Sequence, residues 1–165
     1  MNKKYNLTLM IPLSMILIAM DQLSKWIIVK TMSIGDSFSV IGEFLEITSH
    51  RNYGAAWGML QNQMVLFYII TLLVLIMIVY FYKQDAAHKP VMQLGLTFVF
   101  AGAVGNFIDR LFRGSVVDFI DTKIINYNFP IFNIADSCLT IGVIILLYEI
   151  LVNENKEKKN ADISI

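Results

Sequence analysis

Two aspartates in the second half of the chain are the strongest candidates for acid–base chemistry. Asp118 lies between Val116-Val117 and Phe119-Ile120, so we expect its carboxyl group to be partly removed from water. Asp136 follows Asn133 by three residues, at the start of a long apolar segment. Two carboxylates held close together share one proton, because both cannot ionise at short range. Such a pair could activate water against an amide bond if the fold brings Asp118 and Asp136 together.

Asp136 also allows a second interpretation, which is helix capping. Asn133 is a residue type that often precedes the first turn of a helix, and Asp136 would then lie near the positive end of the helix dipole. Capping and catalysis are both open for Asp136. Asp121, beside Thr122 and Lys123, is expected to be a solvated loop residue or a turn former.

Two further pairs of polar residues are spaced four apart within apolar segments. Asp21 and Lys25 would share one face of a helix, where they could form an ion pair that neutralises both charges. Asn106 and Arg110 have the same spacing, with Asp109 one position aside. For Arg110 the alternatives are a contact with substrate and an anchor that reaches a lipid phosphate.

Few residues remain for other kinds of chemistry. The single cysteine, Cys138, excludes an intrachain disulfide and any site built from several cysteines, and its apolar neighbours indicate packing. The two histidines, His50 and His88, are too few for a histidine metal cluster, and neither sits with a carboxylate in a pattern typical of a triad. These counts leave little for a metal cluster, and His50, beside Arg51, is expected to have a structural role.

The composition of the chain indicates a membrane protein. Of 165 residues, 56% are hydrophobic and 16% are charged, and the mean hydropathy is +0.62. A soluble domain has roughly 45–50% apolar and about 25% charged residues, so a bilayer must solvate much of this surface. Thirteen basic residues balance thirteen acidic ones, which leaves no net charge to attract nucleic acid.

Four apolar segments are long enough to cross the ~30 Å hydrocarbon layer within one domain that covers residues 1–165. They are about residues 7–29, 64–82, 91–108 and 134–152. No small-x-small site follows the first segment, so we expect it to remain as a membrane anchor rather than to be cleaved as a signal peptide. Residues 153–165 are predicted to form a charged, disordered tail.

Lysines near the helix ends predict the orientation. One side carries seven positive charges in three short segments, and the other carries five spread over two longer loops. Since cytoplasmic loops are richer in lysine and arginine, both termini are predicted to be cytoplasmic. The polar candidates then share the outer side of the membrane.

The outer loops have their own predicted structure. Residues 37–48 alternate in polarity, which predicts two short strands joined around Ile41-Gly42-Glu43. Residues 110–133 are rich in aromatic and aliphatic side chains suited to the membrane–water boundary. In the third span, Ala101 and Gly105 are four apart and would permit close helix packing.

Five segments together resemble the lipoprotein signal peptidase (signal peptidase II) family of bacterial aspartic proteases. They occur in order along nearly the whole chain, and they are Asp21-Gln22-Leu23-Ser24-Lys25, Asn52-Tyr53-Gly54-Ala55-Ala56-Trp57-Gly58, Gly102-Ala103-Val104-Gly105-Asn106-Phe107-Ile108-Asp109-Arg110, Val116-Val117-Asp118-Phe119 and Phe132-Asn133-Ile134-Ala135-Asp136-Ser137. One such segment alone would be weak, whereas five in order among four spans are highly specific.

The resemblance implies a fold and a set of roles. The fold is an all-α membrane protein with four transmembrane helices, a small outer β-cradle and a short outer helix. The implied catalytic pair is Asp118 and Asp136. The implied substrate-binding residues are Asn52, Gly54, Asn106, Arg110 and Asn133, and the implied structural supports are Asp21, Lys25 and Asp109.

The resemblance also implies the partners. The substrate would be a prolipoprotein whose lipobox cysteine carries diacylglycerol, cleaved on the amino side of that cysteine near the outer surface of the bacterial cell membrane. Membrane lipid and globomycin-type inhibitors would be further ligands, and no cofactor is implied.

Two other classes of protein fit parts of the pattern. A small proton-coupled transporter would need a carboxylate near mid-span and an internal repeat, and the sequence has neither. A membrane assembly subunit would explain Asp21 and Lys25 but would leave Asp118 without a role.

Overall fold

Four long helices, each apolar enough to span a membrane, form the body of the protein. The computed structural model describes residues 5–125 and 127–163. For residues 56 and 153–163 it describes only the backbone. The helices are α1 (Leu7–Thr31), α2 (Met64–Gln84), α3 (Pro90–Arg113) and α4 (Ile134–Ile163). The strands are β1 (Ser37–Ile41), β2 (Leu45–Asn52), β3 (Val116–Ile124) and β4 (Tyr127–Asn128), and a short 3₁₀ turn covers Ala56–Gly58.

The helix bounds agree with the four predicted spans but extend beyond several of them. α3 starts with Pro90 in its first turn, where a missing N–H costs nothing, and it ends at Arg113, followed by the capping residue Gly114 with a φ of +70°. Asp109 and Arg110 continue the helix beyond the predicted end at residue 108, since both side chains find partners inside the protein.

The predicted disordered tail is wrong as far as residue 163. α4 continues through Ile163, and only residues 164–165 of that prediction lie outside the described residues. The segment from 153 contains Glu, Lys and Ala, which favour helix, and it has no Gly or Pro to end one. A helix already nucleated in the span therefore propagates into it.

α3 is the central helix and packs on all three others. Over half of its spanning segment is buried, against 17% for each of the other three. Gly102 allows the closest approach, because a Cβ atom there would lie 2.3 Å from the carbonyl oxygen of Ala135 in α4. The predicted close packing at Gly105 is confirmed, since a Cβ atom would lie 2.7 Å from Asp21 Oδ2 of α1.

A four-stranded antiparallel sheet in the order β1-β2-β3-β4 covers one end of the bundle, which we call the sheet end. The predicted two-strand element is confirmed as the β1–β2 hairpin, with Ser37 paired to Thr48. The predicted loop at residues 110–133 instead contains β3 and β4. β3 forms because it pairs with β2 along its length, a long-range contact that local alternation did not indicate.

The sheet is fixed to the helices by a small apolar core. Ile28 of α1 packs with Val117 and Phe119 of β3, and Ile47 and Ile134 extend the cluster to β2 and α4. This core sets the position of Asp118, which lies between Val117 and Phe119 in β3.

Candidate active site

A cavity of about 430 Å³ lies at the sheet end, enclosed by residues from the sheet and from α2, α3 and α4. Asp118 and Asp136 both line it, so the fold brings together the two carboxylates that the sequence placed eighteen positions apart. Of the predicted binding residues, Asn52, Gly54, Asn106 and Arg110 line the same cavity. Asn133, the fifth, contacts both aspartates without lining the cavity itself.

Asp118 is held by two amides in a nearly dry environment. It is 1% exposed, and its Oδ2 and Oδ1 atoms accept hydrogen bonds from Asn52 Nδ2 at 3.0 Å and Asn133 Nδ2 at 2.6 Å. Burial, and then the charge of Asp136, raise the pKa of Asp118 from 3.8 to about 7, although the two amide hydrogen bonds act in the opposite direction. Asp118 is therefore poised to exchange a proton near neutral pH.

Asp136 caps α4 and also lines the cavity, so the structure is compatible with both interpretations that the sequence left open. Its backbone N–H donates to Asn133 Oδ1 at 2.9 Å, and its Oδ2 accepts from the Asn133 backbone N–H at 3.2 Å. This reciprocal pair is a capping box that satisfies two donors at the start of α4. The other oxygen, Oδ1, accepts from Asn106 Nδ2 at 2.7 Å. One carboxyl group thus caps the helix and faces the cavity.

Asn106 and Asn133 connect the two aspartates through their amides. Asn133 Nδ2 lies 3.2 Å from Asn106 Oδ1 and also donates to Asp118. Lys25 Nζ donates to the same Asn106 oxygen at 3.1 Å. Because that oxygen faces a cation, the amide nitrogen of Asn106 must face Asp136.

The predicted pair of Asp21 and Lys25 is confirmed and is part of a larger buried cluster. Lys25 Nζ lies 2.9 Å from Asp21 Oδ2 and 3.1 Å from Asp109 Oδ2, and all three side chains are at most 1% exposed. Asp109 also accepts from the Val117 backbone N–H at 3.0 Å, and Asp21 accepts from the Ala135 N–H at 2.9 Å. The cluster therefore ties α1 and α3 to the strand of Asp118 and to the helix of Asp136.

Arg110 lines the cavity, where its guanidinium group contacts the protein. Its Nη2 donates to the Gly54 carbonyl oxygen at 3.1 Å, and its guanidinium carbon lies 4.3 Å from the centre of the Phe67 ring. Among the described residues, its buried Nε atom has no hydrogen-bond partner. The neighbouring Asn52 Oδ1 accepts from the Gly54 N–H at 2.9 Å, which fixes the amide of Asn52 with its nitrogen toward Asp118.

Three residues to which the sequence assigned no catalytic role, Asp121, His50 and Cys138, do not line the cavity. Asp121 is in β3 rather than in a loop, because this segment pairs with β2, and its Oδ2 accepts from Thr48 Oγ1 at 3.0 Å. His50 is exposed on β2, and Cys138 is buried within α4. The described part of the chain contains no group of three or more His, Cys, Asp or Glu side chains that could hold a metal.

Several contributors to the site were not predicted from the sequence. Gln22 donates to Asp21 at 3.1 Å and accepts from Arg113, and its polarity beside Asp21 was the available signal. Phe67 lies in a wholly apolar span, so nothing marked it as the ring beneath Arg110. Trp57 donates to Tyr127 Oη at 3.0 Å, which joins the 3₁₀ turn to β4 beside the cavity.

Comparisons with known proteins agree over most of the chain. Residues 13–152 match the family described as signal peptidase (SPase) II. The lipoprotein signal peptidases of Staphylococcus aureus strains JH9 and Newman are each 53% identical over 159 residues, which is 96% of this chain and 98% of theirs. Two bacterial membrane enzymes solved by the in meso method, at 2.3 and 1.9 Å, match with TM-scores of 0.90 and 0.84. They are 53% and 55% identical, covering 94% and 92% of this chain and 95% and 97% of theirs.

Proposed function

The chain belongs to the signal peptidase II family and is an aspartic peptidase of a membrane, and we propose that it removes signal peptides from prolipoproteins. The proposed substrate carries diacylglycerol on its lipobox cysteine, and the cut falls on the amino side of that cysteine. The observation that carries the proposal is the shared cavity of Asp118 and Asp136, which lies where helices of membrane-spanning length meet the sheet.

The two carboxyl groups supply the acid and the base for hydrolysis. The ionised aspartate takes a proton from water as the oxygen attacks the scissile carbonyl, while the protonated aspartate donates a hydrogen bond to the carbonyl oxygen. When the C–N bond breaks, a proton passes to the leaving amine, and the new carboxyl group departs on the signal peptide. The pair then returns to its starting state with one shared proton.

The surroundings of the two aspartates favour Asp118 as the protonated partner. Burial raises the pKa of Asp118 to about 7, so much of it carries a proton at neutral pH. Asp136, unlike Asp118, lies in the first turn of a helix and accepts a backbone N–H of that turn, and a helix N-terminus favours an anion. Asp136 is then the base that activates water.

Donors around the cavity are suited to hold an extended peptide. The buried Nε atom of Arg110 has no partner among the described residues. It is therefore available to donate a hydrogen bond to a carbonyl oxygen of the substrate. Asn52 and Asn106 also line the cavity, beside the two aspartates. Donors fixed in advance in a dry site can stabilise the negative charge that develops during attack.

The apolar part of the cavity fits the lipid carried by the substrate. Ile70 and Val74 of α2, Leu139 of α4 and Phe132 contribute to its lining. Burial of each methylene of a diacylglyceryl chain would contribute ~0.8 kcal/mol. Globomycin-type inhibitors are proposed to compete for this cavity, and the cavity is proposed to face the outer surface, with both termini in the cytoplasm.

The proposal is tested with purified protein and two synthetic lipobox peptides, one with a diacylglyceryl cysteine and one with a free cysteine. The lipidated peptide should be cleaved once, before the cysteine, and mass spectrometry should identify both products. Cleavage should stop when globomycin is added. Equal cleavage of both peptides, or cleavage elsewhere in the sequence, would contradict the proposed specificity.

A further inference from the structure

A second cavity of about 350 Å³ lies at the end of the bundle opposite to the sheet, between α1 and α2. Its α1 wall includes Leu7, Ile11 and Ser14, its α2 wall includes Val79 and Lys83, and Leu96 of α3 contributes to the floor. It forms because α1 and α2 each pack on α3 but have much less contact with each other. We call it the opposite-end groove, and it shares no lining residue with the cavity of Asp118 and Asp136.

The surroundings of the groove determine what can fill it. All three helices that line it are spanning segments, so hydrocarbon rather than water is the solvent there. Its lining is almost entirely apolar, and Leu7, Ile11 and Val79 are about half exposed on its open side. The side chains that line an empty apolar groove lack dispersion contacts on their open side. A lipid acyl chain from the bilayer can supply these contacts.

The end of the groove is polar and ordered. Tyr5 stacks on Tyr82 with ring centres 5.4 Å apart and donates to the Lys83 carbonyl oxygen at 3.0 Å. The Asn6 N–H donates to the buried Gln93 Oε1 at 2.9 Å. These contacts join the segment before α1 to α2 and α3. We call Tyr5 and Tyr82, which close this end of the groove, its rim.

The rim also carries positive charge. Lys83 lies in the last turn of α2, lines the groove and is exposed, and Lys89 precedes α3 across a short connection. A lysine at this depth can lay its methylenes along apolar surface and place its ammonium among lipid phosphates. The charge therefore complements an anionic head group above an acyl chain.

We propose that the opposite-end groove is a lipid-binding site that holds one acyl chain of an anionic phospholipid, with the lipid phosphate at Lys83. The site is separate from the peptidase cavity and does not depend on the proposed cleavage mechanism. The bound chain fills the space between α1 and α2, and the head group joins the rim formed by Tyr5 and Tyr82.

The test compares phosphatidylglycerol with phosphatidylcholine by native mass spectrometry of the full chain released from mixed micelles. We expect one phosphatidylglycerol to bind more tightly than phosphatidylcholine. Lys83→Gln should weaken phosphatidylglycerol binding about fivefold and remove the preference, because one lysine near a lipid surface contributes about 1 kcal/mol. The control is Lys30→Gln, which removes an exposed lysine from the sheet end of α1 and should leave the preference unchanged.

A second pair of variants tests the groove itself. Ser14→Leu fills the groove from the α1 side, and the hydrogen bond that it removes, from Ser14 Oγ to Ile11 O at 2.8 Å, lies within α1. This variant should bind both lipids less, whereas Ala19→Leu adds a similar volume on an exposed face and should not.

Three results would overturn the proposal. They are equal binding of the two lipids by the parent, equal effects of Lys83→Gln and Lys30→Gln, and unchanged lipid binding by Ser14→Leu. Thermal unfolding is measured for every variant. Lys83 is exposed, and glutamine keeps two of its four methylenes, so the result of Lys83→Gln decides the head-group contact even if Ser14→Leu fails to fold.

Discussion

Asp118 and Asp136 are held by different parts of the protein and by different kinds of hydrogen-bond donors. Asp118 lies in a strand and receives two side-chain amides, whereas Asp136 lies in the first turn of a helix and receives one amide and one backbone N–H. In the proposed mechanism this difference lets the pair hold a single proton, mainly on Asp118.

Replacement of Asp118 should separate chemistry from binding. Asp118→Asn keeps the size of the acid and one of its two acceptor oxygens, but it cannot exchange protons. We expect cleavage of the lipidated peptide to fall roughly 100-fold or more while the peptide still binds. Asp121→Asn, in the same strand but outside the cavity lining, is the matched control and should cleave normally. Normal cleavage by Asp118→Asn, or loss of cleavage by a folded Asp121→Asn, would show that the wrong carboxylate was chosen.

The pH dependence of cleavage should follow Asp118. Since its pKa is about 7 and its protonated form is needed, kcat/KM should fall as the pH rises through about 7. The hydrogen bond from Asn52 stabilises the ionised form, so Asn52→Ala should raise the pKa and move this decline to higher pH. A decline at unchanged or lower pH in Asn52→Ala would contradict the assignment of the acid.

At the scale of elements, the Lys25 cluster joins the pieces that carry the two aspartates. Lys25→Met would leave Asp21 and Asp109 buried without their shared cation, which typically costs ~3–5 kcal/mol. Lys30→Gln, on the same helix but exposed, should change stability by less than about 0.5 kcal/mol. Thermal unfolding in detergent micelles measures both, and equal unfolding temperatures for the two variants would mean that the cluster is not structural.

Contacts within one element could be predicted from the sequence, whereas contacts between distant elements could not. The contact of Asp21 with Lys25 follows from helical spacing, and the cap of Asn133 with Asp136 follows from local pattern. Asp109 joins Lys25 from another helix, and β3 forms only by pairing with β2, so neither could be derived from neighbours in the chain. The polar residues around the cavity could nevertheless be singled out from the sequence, because they stand out in an apolar chain and match motifs of a known family.

At the scale of the whole molecule, the polar cavity lies at one end of the spanning helices and the opposite-end groove at the other. The excess of lysines predicts which end faces the cytoplasm. Reporter fusions after Lys83 and at the C-terminus should therefore report the cytoplasm, and fusions near Asn62 or Thr122 should report the outside. A C-terminal reporter found outside would contradict the proposed orientation.

A double-mutant comparison tests the proposal that Asp118 and Asp136 act as one catalytic unit. The rate of cleavage of the lipidated peptide is measured for Asp118→Asn, Asp136→Asn and the double variant, each with its fold verified. Asn at position 136 can still cap α4, so the loss should reflect proton transfer. The account predicts that either single change removes nearly all activity and that the double change adds little more. Losses that multiply in the double variant, or a folded Asp136→Asn that still cleaves normally, would contradict it.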